Sequence, residues 1–252
     1  MVQLLGRDLR WKPLLPYMIN LRSRSYQKEL LDSDNIPFAD IRQNMKELNN
    51  INTLLGGHAV SVKGLAKILQ YATNNQQLVI CEIGCGGGDN LLALAKWCSK
   101  RNIKAKFIGI DMKETCIEFA KEQCTALDAE WITADYLKAA FPTDKPDIIF
   151  SSLFCHHFSE TDLGIMLQWM RAHCSKGFFI NDLHRHPVAF YFIKFITRLF
   201  SRSYLVKNDA PLSVARGFTK KEWKNILKAT GINQYHLNWQ WAFRHLIIYI
   251  NE

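Results

Sequence analysis

The chain has 252 residues, 48% of them hydrophobic and 22% charged, which suits one large α/β domain, alone or with a modest cap, and excludes a disordered or fibrous polymer. Its seven cysteines are odd in number, lack any C-x-x-C pair and mostly sit in apolar patterns, which argues for a reducing, cytoplasmic setting and against a zinc site. The 32 basic residues exceed the 23 acidic ones, and the net charge of +9 allows an anionic partner without identifying it.

The N-terminal stretch MVQLLGRDLRWKPLLPYM has no uninterrupted apolar core ending in a small-residue cleavage site, so no signal peptide is expected. No window reaches the roughly 18 uncharged apolar residues of a membrane span. Residues 1–28 hold six basic residues against the single acid Asp8, a surface that is either simply solvated or directed at an anionic membrane or nucleic acid. Residues 1–70 read as a helical N-terminal cap or lid. Ile41, Met45, Leu48, Ile51 and Leu55 recur at three- and four-residue steps until Gly56-Gly57 stops the pattern.

From residue 71 to 252 short apolar runs alternate with amphipathic segments. LVICEI, KFIGID, AEWITAD, PDIIFSS and GFFIND read as strands, and repeated βα units imply a parallel sheet covered by helices on both faces. Residues 183–217 break the rhythm as an insertion after the fifth strand, where HPVAFYFIKFITRLFSRSYLVK reads as one long helix followed by a Pro-containing loop. The segment TKKEWKNILKATG then starts a helix with the capping box Thr219 and Glu222. INQYHLNW and FRHLIIYINE close the chain as an antiparallel hairpin. The whole is a Rossmann-like seven-stranded, mostly parallel sheet.

Between the first strand and the next helix lies EIGCGGGDN, a turn of bare backbone suited to close approach of a ligand. The spacing Gly84-x-Gly86-x-Gly88 places Asp89 where a dinucleotide fingerprint needs its third glycine, and no Gly-Lys-Ser/Thr follows for a phosphate loop. An acid at a helix N-terminus repels phosphate and suits a ligand carrying positive charge. The second strand ends at Asp111, able to accept from a ribose diol, which taken alone fits NAD as well, and the third ends at Asp135, followed by Tyr136, where an acid can accept from an adenine amino group.

Glu82, Gly84, Gly86, Gly88, Asp111 and Asp135 in this order resemble the class I S-adenosylmethionine-dependent methyltransferases, over residues 78–182 and, in pattern, 218–252. The resemblance implies S-adenosylmethionine as cofactor. Gly84 and Gly86 would approach its methionine part, Glu82 would order the loop or reach the ammonium, Asp111 would hold the ribose, Met112 would pack on adenine, and Asp135 with the Tyr136 amide would read the adenine edge. For each acid the plainer alternative is a helix N-cap or surface carboxylate.

Two rim segments supply the candidates for catalysis. SSLFCHHFSE brings His156 and His157, and NDLHRHP brings Asp182, His184 and His186 to the strand ends. A histidine near neutrality can accept a phenolic proton as the oxygen attacks the methyl group. A wall-lining role for His156 and His157, and a helix-start hydrogen bond for His184 and His186, are the alternatives. Against the family's subclasses, SLFC stands where amine-methylating nucleic-acid enzymes carry [DNS]-P-P-[YF], no Pro-Cys or Thr-Cys nucleophile occurs, and Ser151-Ser152 replaces a metal-binding Asp. No metal is therefore expected, although Asn181-Asp182 mimics the rest of that metal triad.

The insertion interleaves Phe190, Tyr191, Phe192, Phe195 and Phe200 with Lys194, Arg198 and Arg202, which fits either an ordinary packing helix or one lying on a bilayer or hydrophobic pocket. This region and the cap resemble bacterial methyltransferases of secondary metabolism, including those associated with type III polyketide synthases, and more distantly quinone methyltransferases. That resemblance implies O-methylation of a small hydrophobic phenolic or quinone-like acceptor by a cytoplasmic protein, with a peripheral contact to the inner membrane face as an option. C-methylation, RNA methylation, a nicotinamide-dependent oxidoreductase and a non-catalytic nucleotide-binding scaffold are the rivals. The missing third glycine weighs against the oxidoreductase, and nucleic acid is the less favoured partner.

Overall fold

The computed structural model describes residues 20–33, 35–71, 77–141 and 145–251, so the expectations for residues 1–19 lie outside the described residues. Five strands, β1 (Leu78–Ile83), β2 (Ala105–Asp111), β3 (Ala129–Thr133), β4 (Ile148–Ser152) and β5 (Gly177–Leu183), run parallel. The hairpin of β6 (His236–Gln240) and β7 (Arg244–Ile250) adds antiparallel to β5. The resulting order, β3-β2-β1-β4-β5-β7-β6, is the seven-stranded sheet that the alternating runs predict. The order reverses between β1 and β4, and the crevice opened by such a reversal is where ligands of open α/β sheets bind.

The central strands are apolar on both faces because helices cover both. Leu163, Met166, Leu167 and Met170 of α5 (Glu160–His173), with Trp223, Ile226 and Leu227 of α8 (Lys220–Ala229), bury one face against Ile149, Phe178, Ile180 and Ile247. On the other face Val60, Leu65 and Ile68 of α2 (Gly57–Leu69) and Leu91 and Leu94 of α3 (Asp89–Ser99) pack on Ile80, Phe150, Phe179 and Ile248, beside α4 (Glu114–Gln123). Gly64 of α2 lies so close to the Phe179 ring that a Cβ would come within 2.5 Å of it, which fixes how tightly this helix seats. Thus α2, within the segment read as a cap, is a layer of the sheet sandwich.

The layer above the strand ends differs from its sequence reading in two ways. Residues 20–33 and 35–37 are not helical throughout but form a strap carrying one short 3-10 turn, Leu30–Asp32, ahead of α1 (Phe38–Leu54). The inserted segment is two helices, α6 (Pro187–Phe200) and α7 (Tyr204–Arg216), and the supposed Pro-containing loop is helical through Pro211. A carboxylate from another helix holds the break open: Glu47 of α1 accepts from the Ser201 hydroxyl, the Arg202 amide at 2.9 Å and the Ser203 amide at 3.2 Å. Ser203 then caps α7 by accepting from the Val206 amide.

Candidate active site

The glycine turn leaves β1 at the point where the sheet order reverses. Gly84 has φ 68°, and a Cβ there would fall 2.4 Å from the Phe154 ring of the loop after β4, so only glycine lets the two loops meet. Gly86 has φ 50°, and a Cβ there would meet Met45 Sδ at 3.6 Å, an ordinary contact, so the backbone conformation rather than crowding favours glycine. Gly88, at φ 75°, leads into α3. Asp111 organises the turn: one carboxylate oxygen accepts from the Gly86 amide and the other from the Lys113 amide, each at 2.9 Å. Burial pushes its carboxyl up, while the two amides and the Lys113 ammonium counter that.

Met112 lies 68% exposed on the adjoining rim, free to cover a flat ligand. Asp135 caps the short turn Tyr136–Lys138 by accepting from the Leu137 amide at 3.1 Å, and the Tyr136 side chain is buried under it. One oxygen of Asp135 therefore has the plainer role foreseen for it. Glu82, at the end of β1, is 1% exposed, and its Oε2 has no partner among the described residues. Burial, with Asp89 and Asp111 nearby, raises its carboxyl well above the ordinary range. Asp89 pairs with His58 Nε2 at 2.6 Å, and Arg244 reaches the same corner by donating to Asn52 Oδ1 at 3.0 Å. Three acids around a glycine turn favour a cationic ligand group.

The rim after β4 and β5 is held by Asp182. This residue is fully buried and accepts from the amides of Phe154, His156 and Leu183 and from His156 Nδ1 at 2.8 Å. Burial alone would raise its carboxyl, but the His156 ring and these donors hold it below the usual range. Sequence reasoning put Asp182 on the open rim. The structure makes it instead the anchor that sets His156 and, through the Phe154 amide, the ring lying on Gly84.

The other histidines divide by what their nitrogens face. His186 Nδ1 accepts from the Val188 amide at 3.2 Å and so caps α6, the helix-start role. His184 Nδ1 has no partner among the described residues, and its ring stands 4.7 Å from His245 and 6.2 Å from Phe243. Burial first, then His186 and Arg185, lower its pKa. His157 points its two nitrogens at Asp32, 3.4 Å away, and Glu29, 3.7 Å away. His58, Asn52, Arg244, His245, Glu29 and Asp32 escaped the sequence reading. Each meets the site across a long stretch of chain, and none carries a local motif.

Residues 80–177 match the family described as Methyltransferase domain. Solved structures similar to the chain include the plantazolicin methyltransferase BpumL in complex with SAH, at 15% identity and TM-score 0.63, covering 85% of this chain and 95% of that one. The plantazolicin methyltransferase BamL, in complex with a triazolic desmethylPZN analog and SAH, aligns at 18% identity and TM-score 0.55 over 81% and 78%. The magnesium protoporphyrin IX methyltransferase ChlM from Synechocystis PCC 6803, with bound SAM, aligns at 13% identity and TM-score 0.53 over 81% and 84%. No curated protein matches the sequence.

The sheet order, the glycine turn at its switch point and these likenesses define a class I methyltransferase fold. Residues 80–177 carry the match to the methyltransferase domain, and the similar structures are solved with SAM or SAH bound.

Proposed function

We propose that this chain transfers a methyl group from S-adenosylmethionine to the hydroxyl of a hydrophobic phenolic or quinone-like acceptor. The residues fit that cofactor: the glycine turn with positive φ at Gly84, Gly86 and Gly88 presents bare backbone, and the orphaned Glu82 Oε2 is a buried acceptor suited to an ammonium. Asp111 suits the ribose, and Met112 with Asp135 and the Tyr136 amide suits the adenine. When bound, S-adenosylmethionine supplies a methyl group already activated on a sulfonium, so the protein has mainly to orient the acceptor and remove its proton.

The observation that carries the reading is His184. Its lowered pKa keeps the imidazole neutral near pH 7, and although Nδ1 is buried without a partner among the described residues, the ring as a whole is only partly buried, so its exposed edge can take a proton from an acceptor hydroxyl. His186 spends its Nδ1 on the helix start, and His157 faces two carboxylates, which leaves His184 as the base. The apolar character of the acceptor is supported by Phe243 beside His184 and by α6. Val188, Tyr191, Phe192, Phe195 and Leu199 form an exposed stripe on that helix, next to Lys194 and Arg198, suited to a lipid surface from which such an acceptor is drawn.

The test is turnover of phenolic and quinone-like acceptors by single variants. His184→Ala is expected to lose about 100-fold or more in kcat with unchanged affinity for S-adenosylhomocysteine, whereas His186→Asn keeps turnover. Equal turnover in the wild type and His184→Ala would rule His184 out as the base.

A further inference from the structure

A second cluster of donor atoms lies between the N-terminal strap and the loop after β4. Glu29 presents Oε1 to His156 Nε2 at 3.6 Å and Oε2 to His157 Nε2 at 3.7 Å, and suitable donor atoms of all three lie within 4.8 Å of one another. Glu29 and His156 are buried, and His157 is partly covered. Both separations are too long for hydrogen bonds. Each, though measured to a different carboxylate oxygen, is near the edge of a tetrahedron, about 3.3–3.4 Å, whose corners lie about 2.0–2.1 Å from a central zinc. We propose that Glu29, His156 and His157 bind one divalent transition-metal ion, zinc being the cation their chemistry fits.

The surroundings are those of a ligand set rather than of a simple ion pair. His156 Nδ1 is fixed by Asp182 at 2.8 Å, and His157 Nδ1 faces Asp32 at 3.4 Å. A carboxylate at each Nδ1 places the proton there and leaves the Nε2 lone pair for a metal, the arrangement found behind most metal-bound histidines. Glu29 is itself oriented by the Ser213 hydroxyl at 2.7 Å. Neither Nε2 makes a hydrogen bond among the described residues, so both are free to ligate, His156 from a buried position and His157 from a partly covered one.

Charge points the same way. Glu29, Asp32, Asp182 and Asp209 gather here with the guanidiniums of Arg24 and Arg216 among the described residues. Arg24 and Arg216 both donate to backbone carbonyls of the histidine loop, Arg24 to His156 and Phe158, Arg216 to His156 and His157. Asp209 accepts from the Leu30 and Leu31 amides beside Glu29. Two imidazoles and a carboxylate select zinc or a neighbouring first-row metal over calcium or magnesium, and three protein ligands leave a position open. The ion would tie the strap to a loop whose Phe154 ring covers Gly84, so binding would stiffen the edge of the glycine turn.

The test reads metal binding directly and does not depend on methyl transfer. The full chain, stripped with chelator and shown to be folded by near-ultraviolet circular dichroism, is titrated with Co(II) and then Zn(II). One equivalent of cobalt with the visible d–d bands of nitrogen and oxygen ligands, displaced by zinc, is expected. Glu29→Gln and His157→Ala should each weaken binding by at least about tenfold, and Asp32→Asn by about tenfold. His157 is partly exposed, so its variant remains informative if Glu29→Gln fails to fold. A folded wild type that takes up no ion, or an ion whose affinity neither folded variant changes, would overturn the assignment and leave the cluster as ion pairs joining strap to loop.

Discussion

His184 and His186 sit two positions apart in one motif, yet their surroundings separate them. The Val188 amide claims Nδ1 of His186, while burial and neighbouring positive charge keep His184 neutral and unengaged. A base of lowered pKa has a predictable pH signature. Turnover should be level through neutrality and should fall only once the pH drops below the ordinary imidazole range near 6.5. Measuring kcat against pH checks this, and His186→Asn should leave the acid limb where it is. A limb centred above pH 6.5 would point to another group. The sequence placed both histidines at the rim correctly but could not rank them, because the ranking depends on which nitrogen meets an amide.

At the scale of elements, the strands and the glycine turn were legible because their signals are local: apolar runs of five to seven residues, though only a short 3-10 turn and no α-helix follows β3. Two elements were not. Pro211 suggested a loop, but Ser203 caps a helix that tolerates it, and the break that starts this helix comes from Glu47, 155 residues away in sequence. The strap at residues 20–33 follows from contacts to the far end of the chain, among them Arg24 Nε donating to the Arg216 carbonyl and Leu30 N to Asp209. The apolar periodicity of α6 was visible, though Phe190 turns inward while Phe192 and Phe195 are 50% and 61% exposed. No helix among the described residues is long and apolar enough to cross a membrane. A surface role for α6 predicts co-sedimentation with anionic phospholipid vesicles, reduced by Phe192→Glu with Phe195→Glu at unchanged Tm. Equal sedimentation of both proteins would assign the stripe to something other than lipid.

Across the whole molecule, buried polar groups come together from distant segments at the strand ends, and this gives stability a pH dependence. His245 on β7 is 2% exposed, and burial, followed by His184, lowers its pKa from 6.5 to about 4. Between those values the unfolded chain binds the proton and the folded one does not, so stability is lost as the pH falls through the window. A difference of one proton costs about 1.36 kcal/mol for each pH unit crossed, which amounts to about 2 kcal/mol by pH 5 and about 3 kcal/mol by pH 4. Urea unfolding of the wild type and His245→Gln across pH 4–7 isolates this contribution, since the variant should lose that part of the slope. Identical slopes would mean that His245 is protonated in the folded state. The sequence showed the first rim histidines because they follow strands in one reading direction. His245 and Arg244 enter from an antiparallel strand, and nothing nearby in the chain marks them.

Everything proposed for the site depends on S-adenosylmethionine binding at the glycine turn where the sheet order reverses between β1 and β4, and isothermal titration calorimetry with S-adenosylhomocysteine reads that binding without an acceptor. One site per chain with micromolar affinity is expected, with no binding of NADH. Asp111→Ala should weaken the affinity about 10- to 100-fold, because it loses both the ribose acceptor and the hold on the Gly86 amide. Absence of binding by the folded wild type, or full affinity in Asp111→Ala, would refute the assignment of the turn.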